Sequence, residues 1–236
     1  MKLLLALIPV CLLAQSGLER PNLGVMIDRH GFLRPVSGAA GSFLVGDPQA
    51  ARALSFACSQ TACVAKTKDS ILAGGAAIPA PEGPAVIATG DAGTIFYFRE
   101  PGRFAQLQNG ALTPLDWSVD GELLSISASN GIRFAIRRES AVWITASDGS
   151  VLDSLPSAEA VLLLSDAVVY STVTELVLRR SDASEVRFPC AGIRELFAMS
   201  GGWVEARSNS GAFSLRTDAG HERLYQLPQP SSGAPR

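Results

Sequence analysis

Histidine is nearly missing from this sequence, which has only His30 and His221 among 236 residues. Histidine is the commonest metal ligand and general base, so most zinc sites and histidine-dependent catalytic triads are disfavoured. A charge excess is also lacking, because 20 Lys and Arg residues face 22 Asp and Glu residues. Proteins that bind nucleic acid through their surface carry a basic patch. We therefore expect no nucleic-acid partner.

Helical periodicity is absent as well. After the first 15 residues, no apolar stripe with a period of 3.6 residues continues for more than two turns. Short segments instead alternate between apolar and polar side chains, as in 212–216 (AFSLR), which is the pattern of half-buried strands. With 47% hydrophobic and 18% charged residues, the composition is that of a globular protein. The sequence therefore predicts an all-β protein.

The one long apolar run lies at the N-terminus, in MKLLLALIPVCLLAQ. About a dozen apolar residues are too few to span a bilayer, which takes about 20. Lys2, the apolar stretch and the small residue Ala14 together form the pattern of a secretory signal peptide, although a retained anchor is the alternative. We expect residues 1–14 to be removed, leaving one domain over 15–228 with no transmembrane segment. The location predicted is secreted or periplasmic.

An exported protein reaches an oxidising compartment, where cysteines can form disulfides. Cys58 and Cys63 enclose four residues between two short apolar segments. Directly opposed residues of an antiparallel pair have Cβ atoms near disulfide distance, so we predict a Cys58–Cys63 disulfide. A metal site would need a second group of Cys or His ligands. Cys190 is predicted to be a buried apolar residue, and Cys11 follows Val10, which fits a lipoprotein signal poorly.

Tight turns recur at intervals of 34 to 41 residues. They are Arg29-His30-Gly31, Lys68-Asp69, Asn109-Gly110, Asp148-Gly149, Ser181-Asp182-Ala183 and Asp218-Ala219-Gly220. Asn-Gly and Asp-Gly favour the type I′ turns of β-hairpins. Five of the segments that follow contain or end in a proline: Pro35, Pro114, Pro156, Pro189 and Pro228. Because proline cannot donate to a ladder, each repeat is expected to end in an edge strand.

Each repeat has room for three further strands. The clearest set is predicted at 122–127, 132–137, 141–146 and 150–155. Four short antiparallel strands in about 40 residues are typical of a β-propeller blade. In this respect the chain resembles secreted propeller repeats of the NHL or YVTN kind over residues 24–228. The resemblance implies a propeller architecture and no specific activity.

The number of blades is less well determined. We predict a β-propeller-like array of about five four-stranded antiparallel blades plus an N-terminal hairpin within 23–36. Six blades with one of half size, and an open sandwich or barrel, are the alternatives. The Pro/Ser/Gly-rich segment 229–236 is expected to be a disordered tail.

Motifs for catalysis are not found. The sequence has no Gly-x-Ser-x-Gly elbow and no HExxH motif, and the two histidines occupy what we take to be equivalent turns. Gly-rich segments at 38–41 and 73–76 precede strands, not helices, so they lack the helix N-terminus that binds phosphate. The prediction is therefore no catalytic, cofactor-binding or metal-binding residue and no cofactor.

Acidic, basic and aromatic residues leave weaker alternatives. Five acids that could supply a glycosidase pair adjoin turns: Asp28, Asp47, Asp91, Asp120 and Asp166. Arginines recur near strand ends and could form an anion-binding ring: Arg99, Arg137, Arg179 and Arg216. The tryptophans are interpreted as packing residues: Trp117, Trp143 and Trp203. We predict a non-catalytic exported binding module for a protein or glycan, with an extracellular hydrolase or lyase using acids at a propeller channel as the alternative.

Overall fold

A computed structural model describes residues 20–49 and 51–228, which form an all-β propeller of six blades. The predicted leader, Cys11 and the predicted tail at 229–236 lie outside the described residues. Every strand pairs antiparallel with the next strand of its blade. Among the described residues there is no helix long and apolar enough to cross a membrane.

The strands follow one another from blade to blade in chain order. The first blade contains β1 (Asn22–Ile27), β2 (Leu33–Ala39) and β3 (Ser42–Val45). The second contains β4 (Ser55–Cys58), β5 (Cys63–Lys66), β6 (Ser70–Ala73) and β7 (Ala76–Pro79). The third contains β8 (Ala85–Gly90), β9 (Gly93–Phe98), β10 (Arg103–Gln108) and β11 (Ala111–Leu115).

The second half of the chain repeats the four-stranded unit. The fourth blade contains β12 (Glu122–Ser127), β13 (Arg133–Arg138), β14 (Ala141–Ala146) and β15 (Val151–Pro156). The fifth contains β16 (Val161–Leu163), β17 (Ala167–Ser171), β18 (Glu175–Arg180) and β19 (Glu185–Pro189). The sixth contains β20 (Ile193–Ala198), β21 (Trp203–Ser208), β22 (Gly211–Arg216) and β23 (Arg223–Gln226).

The first strands of the four-stranded blades are the innermost. β4, β8, β12, β16 and β20 contact one another in that order, and β20 also contacts β4, so these five strands close a ring. The fourth strands lie at the outer edges, and β7, β11, β15 and β19 each contain a proline. The predicted proline-bearing edge strands are confirmed at Pro114, Pro156 and Pro189. Of the other two predicted prolines, Pro35 lies in the middle strand β2 and Pro228 lies after β23, while Pro79 of β7 was not predicted.

The predicted number of blades is wrong. Residues 22–45 form a sixth, three-stranded blade and not a hairpin, because β3 pairs with β2. Over the described residues this blade lacks an innermost strand. β1 lies beside β4, and the carbonyl of Leu23 accepts a hydrogen bond at 3.0 Å from the N–H of Ser200, which follows β20. The alternative of six blades with one reduced blade is closer to the structure.

The predicted phase of the repeat is also wrong in the first two blades. Asn109-Gly110 joins the last two strands of its blade, whereas Lys68-Asp69 joins β5 to β6. The matching turns are Ala40-Gly41 in the first blade and Gly74-Gly75 in the second. The error arises because all hairpin turns use the same residue types. Pro35 is tolerated in the middle strand β2 because the pairing with β3 begins only at the next residue.

Buried hydroxyl groups tie neighbouring blades together. Ser55 Oγ donates to the carbonyl of Ala85 at 2.7 Å, across the second and third blades. Three more such bonds follow around the ring: Leu163 N–H to Ser125 Oγ (2.9 Å), Ser171 Oγ to the Ile193 carbonyl (2.9 Å) and Ser200 Oγ to the Ser59 carbonyl (2.9 Å). The first three satisfy polar groups that would otherwise be buried without a partner between two sheets, and the bond from Ser200 is partly buried.

Aromatic rings pack where the last blade meets the first two. Trp203 of β21 contacts Phe43 of β3 edge-on, with ring centroids 5.6 Å apart, and Tyr225 of β23 also contacts Phe43. Phe56 of the second blade stacks on Phe197 of the sixth at 4.9 Å. Aromatic pairs of this kind contribute about 0.5–1.5 kcal/mol beyond their burial. The ring is therefore closed by apolar side chains.

Glu205 is an ionisable residue that is buried where the sixth blade meets the first. It lies on β21 and is fully buried, and its Oε2 accepts a hydrogen bond at 3.3 Å from the Ile27 N–H of β1. Oε1 has no hydrogen-bond partner among the described residues. Arg207 Nε is 3.6 Å from Oε1, but Nη1 of the same guanidinium is bound at 2.8 Å by Glu195. Burial raises the pKa of Glu205 to about 8, so the carboxyl is neutral at pH 7.

This burial predicts a pH-dependent stability. Between the ordinary pKa of 4.5 and the raised value of about 8, folded Glu205 keeps a proton that the unfolded chain releases. The free energy of unfolding should therefore fall as pH rises through this interval, by at most about 1.4 kcal/mol per pH unit. Glu205→Gln keeps an acceptor for Ile27 and cannot ionise. Urea unfolding from pH 5 to 9 should show a flatter profile for the variant, and parallel profiles would contradict the assignment.

Candidate functional site: a channel with two unlike mouths

The five innermost strands surround a channel that opens as a large cavity at one end. This wide cavity has a volume of about 1110 Å³. Its rim is formed by the turns that follow the innermost strands, including Ser59–Thr61 after β4, Ser129-Asn130 after β12 and Ser165-Asp166 after β16. Its floor is apolar, with Ala57, Ile126 and Leu163 among the lining residues. Hydroxyl and amide groups thus surround an apolar base.

A second, narrow cavity of about 380 Å³ occupies the other end, where the chain enters the innermost strands. Ile87, Leu162 and Ala198 line both cavities and come from three different blades. The two cavities therefore meet at an apolar waist. Within 20–49 and 51–228, the first blade contributes no lining residue to either cavity, and its described strands include no innermost strand.

The rim of the wide cavity is held in place by contacts between blades. Arg133 of β13 donates to the carbonyls of Leu164 and Ser165 in the next blade. Burial is the main influence on this guanidinium and lowers its pKa, while Asp166 acts in the opposite direction. Gly90 is required at the same rim, because a Cβ there would lie 2.4 Å from Ser129 Oγ. Contacts between blades therefore fix the positions of the turns that form the rim of the wide cavity.

Three exposed aspartates stand around the wide cavity. Asp91 and Asp166 have no ion-pair partner among the described residues, and Asp218 is bound by Arg216 at 2.8 Å. Arg180, the cation of the lining, is already bound by Glu222 at 2.7 Å. When Arg133 is counted against Asp91 and Asp166, the rim carries one net negative charge.

The other acids weighed in the sequence lie away from this cavity. Asp28 is buried in an ion pair with Arg34 at 2.7 Å. Burial alone would raise the pKa of Asp28, but hydrogen bonds from Arg34 and two backbone N–H groups outweigh it, so the pKa is lowered. Asp47 lies between β3 and β4, and Asp120 faces Arg138 at 3.9 Å. The structure thus brings only Asp91 and Asp166 of the five to one mouth.

The two histidines are not equivalent, contrary to the prediction. His30 lies in the turn between the first two strands of its blade, and His221 follows the turn between the last two strands of the sixth. Neither lines a channel cavity. Within 20–49 and 51–228, no three His, Cys, Asp or Glu side chains are grouped so as to hold a metal ion.

The four arginines do not form a ring. Arg99 and Arg137 reach the same carboxylate, Glu122, at the narrow cavity. Arg179 is paired with Asp153 and Arg216 with Asp218, in other parts of the fold. Their spacing of 38, 42 and 37 residues does not reflect equivalent positions, because Arg137 lies on the second strand of its blade and Arg179 and Arg216 lie on third strands.

Trp203 is buried between blades and Trp117 packs against Phe104 and Phe134, as predicted for packing residues, whereas Trp143 on β14 is half-buried. The Gly-rich segments at 38–41 and 73–76 are hairpin turns. Cys190 is free and buried, as predicted, and burial raises the pKa of its thiol.

Sequence reasoning missed two features of the channel ends. One is Arg194, an exposed residue near the start of β20 that lines the narrow cavity. The other is the set of turns after the innermost strands, which form the rim of the wide cavity. The serine, threonine and asparagine content of those turns was a usable signal. Glu205 could not be distinguished from a solvent-facing residue of an alternating strand.

The predicted disulfide is present. Cys58 and Cys63 are opposed residues of β4 and β5, and their sulfurs are bonded. The bond closes the hairpin whose turn, Ser59–Thr61, contributes to the wide rim. A Cβ added to Gly24 of β1 would lie 3.0 Å from Cys58 Sγ, so the disulfide also packs against the first blade. It therefore stabilises the rim where the ring closes.

Removal of this bond should weaken folding modestly. In the chain-entropy account, so small a loop contributes about 2 kcal/mol to the free energy of unfolding. The double variant Cys58→Ala, Cys63→Ala should lose that amount in urea unfolding without reductant. Reductant should lower the wild-type value to that of the variant and leave the variant unchanged. An equal effect of reductant on both proteins would show that the bond is not the cause.

Comparison with known proteins shows no family for this chain. No protein-family model matches it, and no curated protein matches it. A protein of unknown function from Bacteroides caccae is 10% identical, with a TM-score of 0.51, and the match covers 84% of this chain and 90% of that one. The Neurospora crassa Pan2 WD40 domain is 9% identical, with a TM-score of 0.49 and coverages of 89% and 80%.

PorZ, an essential bacterial surface component of the type-IX secretion system of Porphyromonas gingivalis, is also similar. It is 13% identical to this chain, with a TM-score of 0.48. The match covers 89% of this chain and 38% of that one, so this chain spans well under half of its length. Likeness at such low identity concerns the fold alone.

Proposed function

We propose that this chain is an exported interaction module that binds a segment of a protein partner in the wide cavity. One observation carries the proposal: turns from all five four-stranded blades converge on one cavity of about 1110 Å³ with a polar rim and an apolar floor. Binding sites are concave and combine apolar walls with a few placed polar groups. Loops on a rigid scaffold are where such function is commonly carried.

The charged residues of the wide rim determine which groups a partner should carry. Asp91 and Asp166 are exposed and unpaired among the described residues, and Arg180 is neutralised by Glu222. Opposite charge across an interface speeds association and selects partners. The partner segment should therefore present positively charged groups or hydrogen-bond donors, with an apolar side chain for the floor.

A protein is favoured over a glycan by the aromatic residues. Glycan sites commonly offer an exposed aromatic face on which a sugar ring stacks. The tryptophan that lines the wide cavity is Trp203, which is only 7% exposed and is used in packing against Phe43. Export is supported by the Cys58–Cys63 disulfide, because such bonds persist in oxidising compartments, and by the predicted signal peptide.

The second candidate function is that of a hydrolase or lyase that cleaves an extracellular carbohydrate. It is favoured by one observation, that Asp91 and Asp166 stand at the same mouth. Paired carboxylates catalyse glycoside cleavage only at defined separations. A panel of chromogenic glycosides and esters tests this directly. Turnover that Asp91→Asn and Asp166→Asn both abolish would favour the enzyme.

The interaction module is tested by blocking the rim. Gln60→Trp and Ser165→Trp each place a bulky ring at an exposed rim position, on the second and fifth blades. Thr113→Trp is the matched control, because Thr113 is exposed on the outer strand β11, away from the channel. Protein captured from culture should be retained by wild type and the control and lost with both rim variants. Equal retention by all four would contradict binding at the wide cavity.

A further inference from the structure

The narrow cavity is lined by three arginines and three glutamates, and these charges are not all paired with one another. Glu122 faces two arginines: Arg137 Nη1 is 2.7 Å from one oxygen, and Arg99 Nη1 is 3.5 Å from the other. Arg137 is further occupied by the carbonyls of Ala158 and Glu159, at 3.3 and 2.6 Å. Arg99 is exposed, and its guanidinium makes one long contact with the described part of the chain, so most of its donors are available.

Arg194 is the second available guanidinium. It lies at the start of β20, is exposed, and has no ion-pair partner among the described residues. The adjacent Glu195 is bound instead by Arg207 at 2.8 Å. Glu159 has no ion-pair partner among the described residues. The three arginines and three glutamates of the lining cancel in formal charge, but Glu195 is bound by Arg207 from outside the lining, so the other lining residues carry one excess positive charge.

Apolar side chains adjoin these charges. Leu54, just before β4, is 41% exposed although it is a large aliphatic residue, and it lines the narrow cavity with Leu124 and Leu196. Because β4 and β20 are neighbouring innermost strands, Leu54 and Arg194 enter the cavity from adjacent blades. An exposed aliphatic surface beside an unpaired guanidinium fits a ligand that has an apolar part and an anionic end.

We propose that the narrow cavity binds a carboxylate carried by an aliphatic group. Arg194 pairs with the carboxylate, Arg99 adds positive charge, and the aliphatic part packs against Leu54 and Leu196. The cavity volume of about 380 Å³ lies within the range of small-ligand sites. This site is at the opposite end of the channel from the wide cavity, so the proposal stands or falls independently of the proposed function.

The test compares hexanoate with 1-hexanol, which has the same aliphatic chain and no carboxylate. In an NMR titration of the protein at low salt, hexanoate should shift the amides of Leu54 and Arg194 in a saturable way. 1-Hexanol should bind about ten-fold more weakly, because it forgoes a charge-assisted hydrogen bond. Equal binding of the two probes, or hexanoate shifts confined to the wide cavity, would overturn the proposal.

Three variants assign the contacts. Arg194→Gln should weaken hexanoate binding about ten-fold, since the charged donor is lost. Glu159→Gln should strengthen it, because the unpaired carboxylate of the lining is removed. Arg103→Gln is the matched control, as Arg103 is exposed on β10 and does not line the cavity. Unchanged affinity in Arg194→Gln, with the control also unchanged, would refute the role of Arg194.

A peptide pair identifies the source of the carboxylate. Acetyl-Ala-Ala-Leu is used as the free acid and as the amide. Binding of the acid and not the amide supports the site and assigns the carboxylate to a chain terminus, whereas binding of hexanoate without either peptide supports it and assigns a small acid. Failure of both hexanoate and the peptide acid to bind would overturn the proposal.

Discussion

Closure of the ring between the sixth blade and the first two is the constraint on which the rest of this structure depends. Among the described residues the first blade has no innermost strand; β20 contacts β4 directly, and β1 packs beside β4. Trp203 and Phe43 supply the apolar contact, and Ser200 supplies hydrogen bonds to both the first and the second blade. Without these contacts, the five innermost strands would have an open edge and would not enclose a channel.

The closed ring gives the two ends of the channel different chemistry. At the wide end the chain turns between strands, so polar residues such as Asn130 and Ser165 can vary without disturbing the core. At the narrow end the chain enters the innermost strands, and long side chains such as Arg99 and Arg137 reach inward from the second strands of their blades. One scaffold therefore offers an acidic, hydroxyl-rich mouth and a guanidinium-bearing mouth.

The alternation of apolar and polar residues was sufficient to predict individual strands. It was not sufficient to predict how the strands are grouped into blades or how the blades pack together. The alternating segments at 122–127 and 141–146 became strands with those same bounds, because alternation reflects one buried and one exposed face. The repeat was placed out of phase at Lys68-Asp69, since a turn between inner strands has the same residues as one between outer strands. The meeting of Arg99 and Arg137 at Glu122 depends on packing between two blades, which spacing along one chain does not encode.

The position of Glu205 explains why the contact between the last and first blades could not be predicted from the sequence. In Trp203–Ser208 Glu205 occupies a position that could face solvent, but in the folded chain it is fully buried and binds the Ile27 N–H of β1. An aliphatic residue there would avoid a carboxyl oxygen without a hydrogen-bond partner, at no loss of volume. The carboxyl instead accepts the Ile27 N–H, which keeps β1 in one register against the last blade. The closure thus combines apolar packing with two hydrogen bonds to β1, from Ser200 N–H to the Leu23 carbonyl and from Ile27 N–H to Glu205, which fix where the first blade docks.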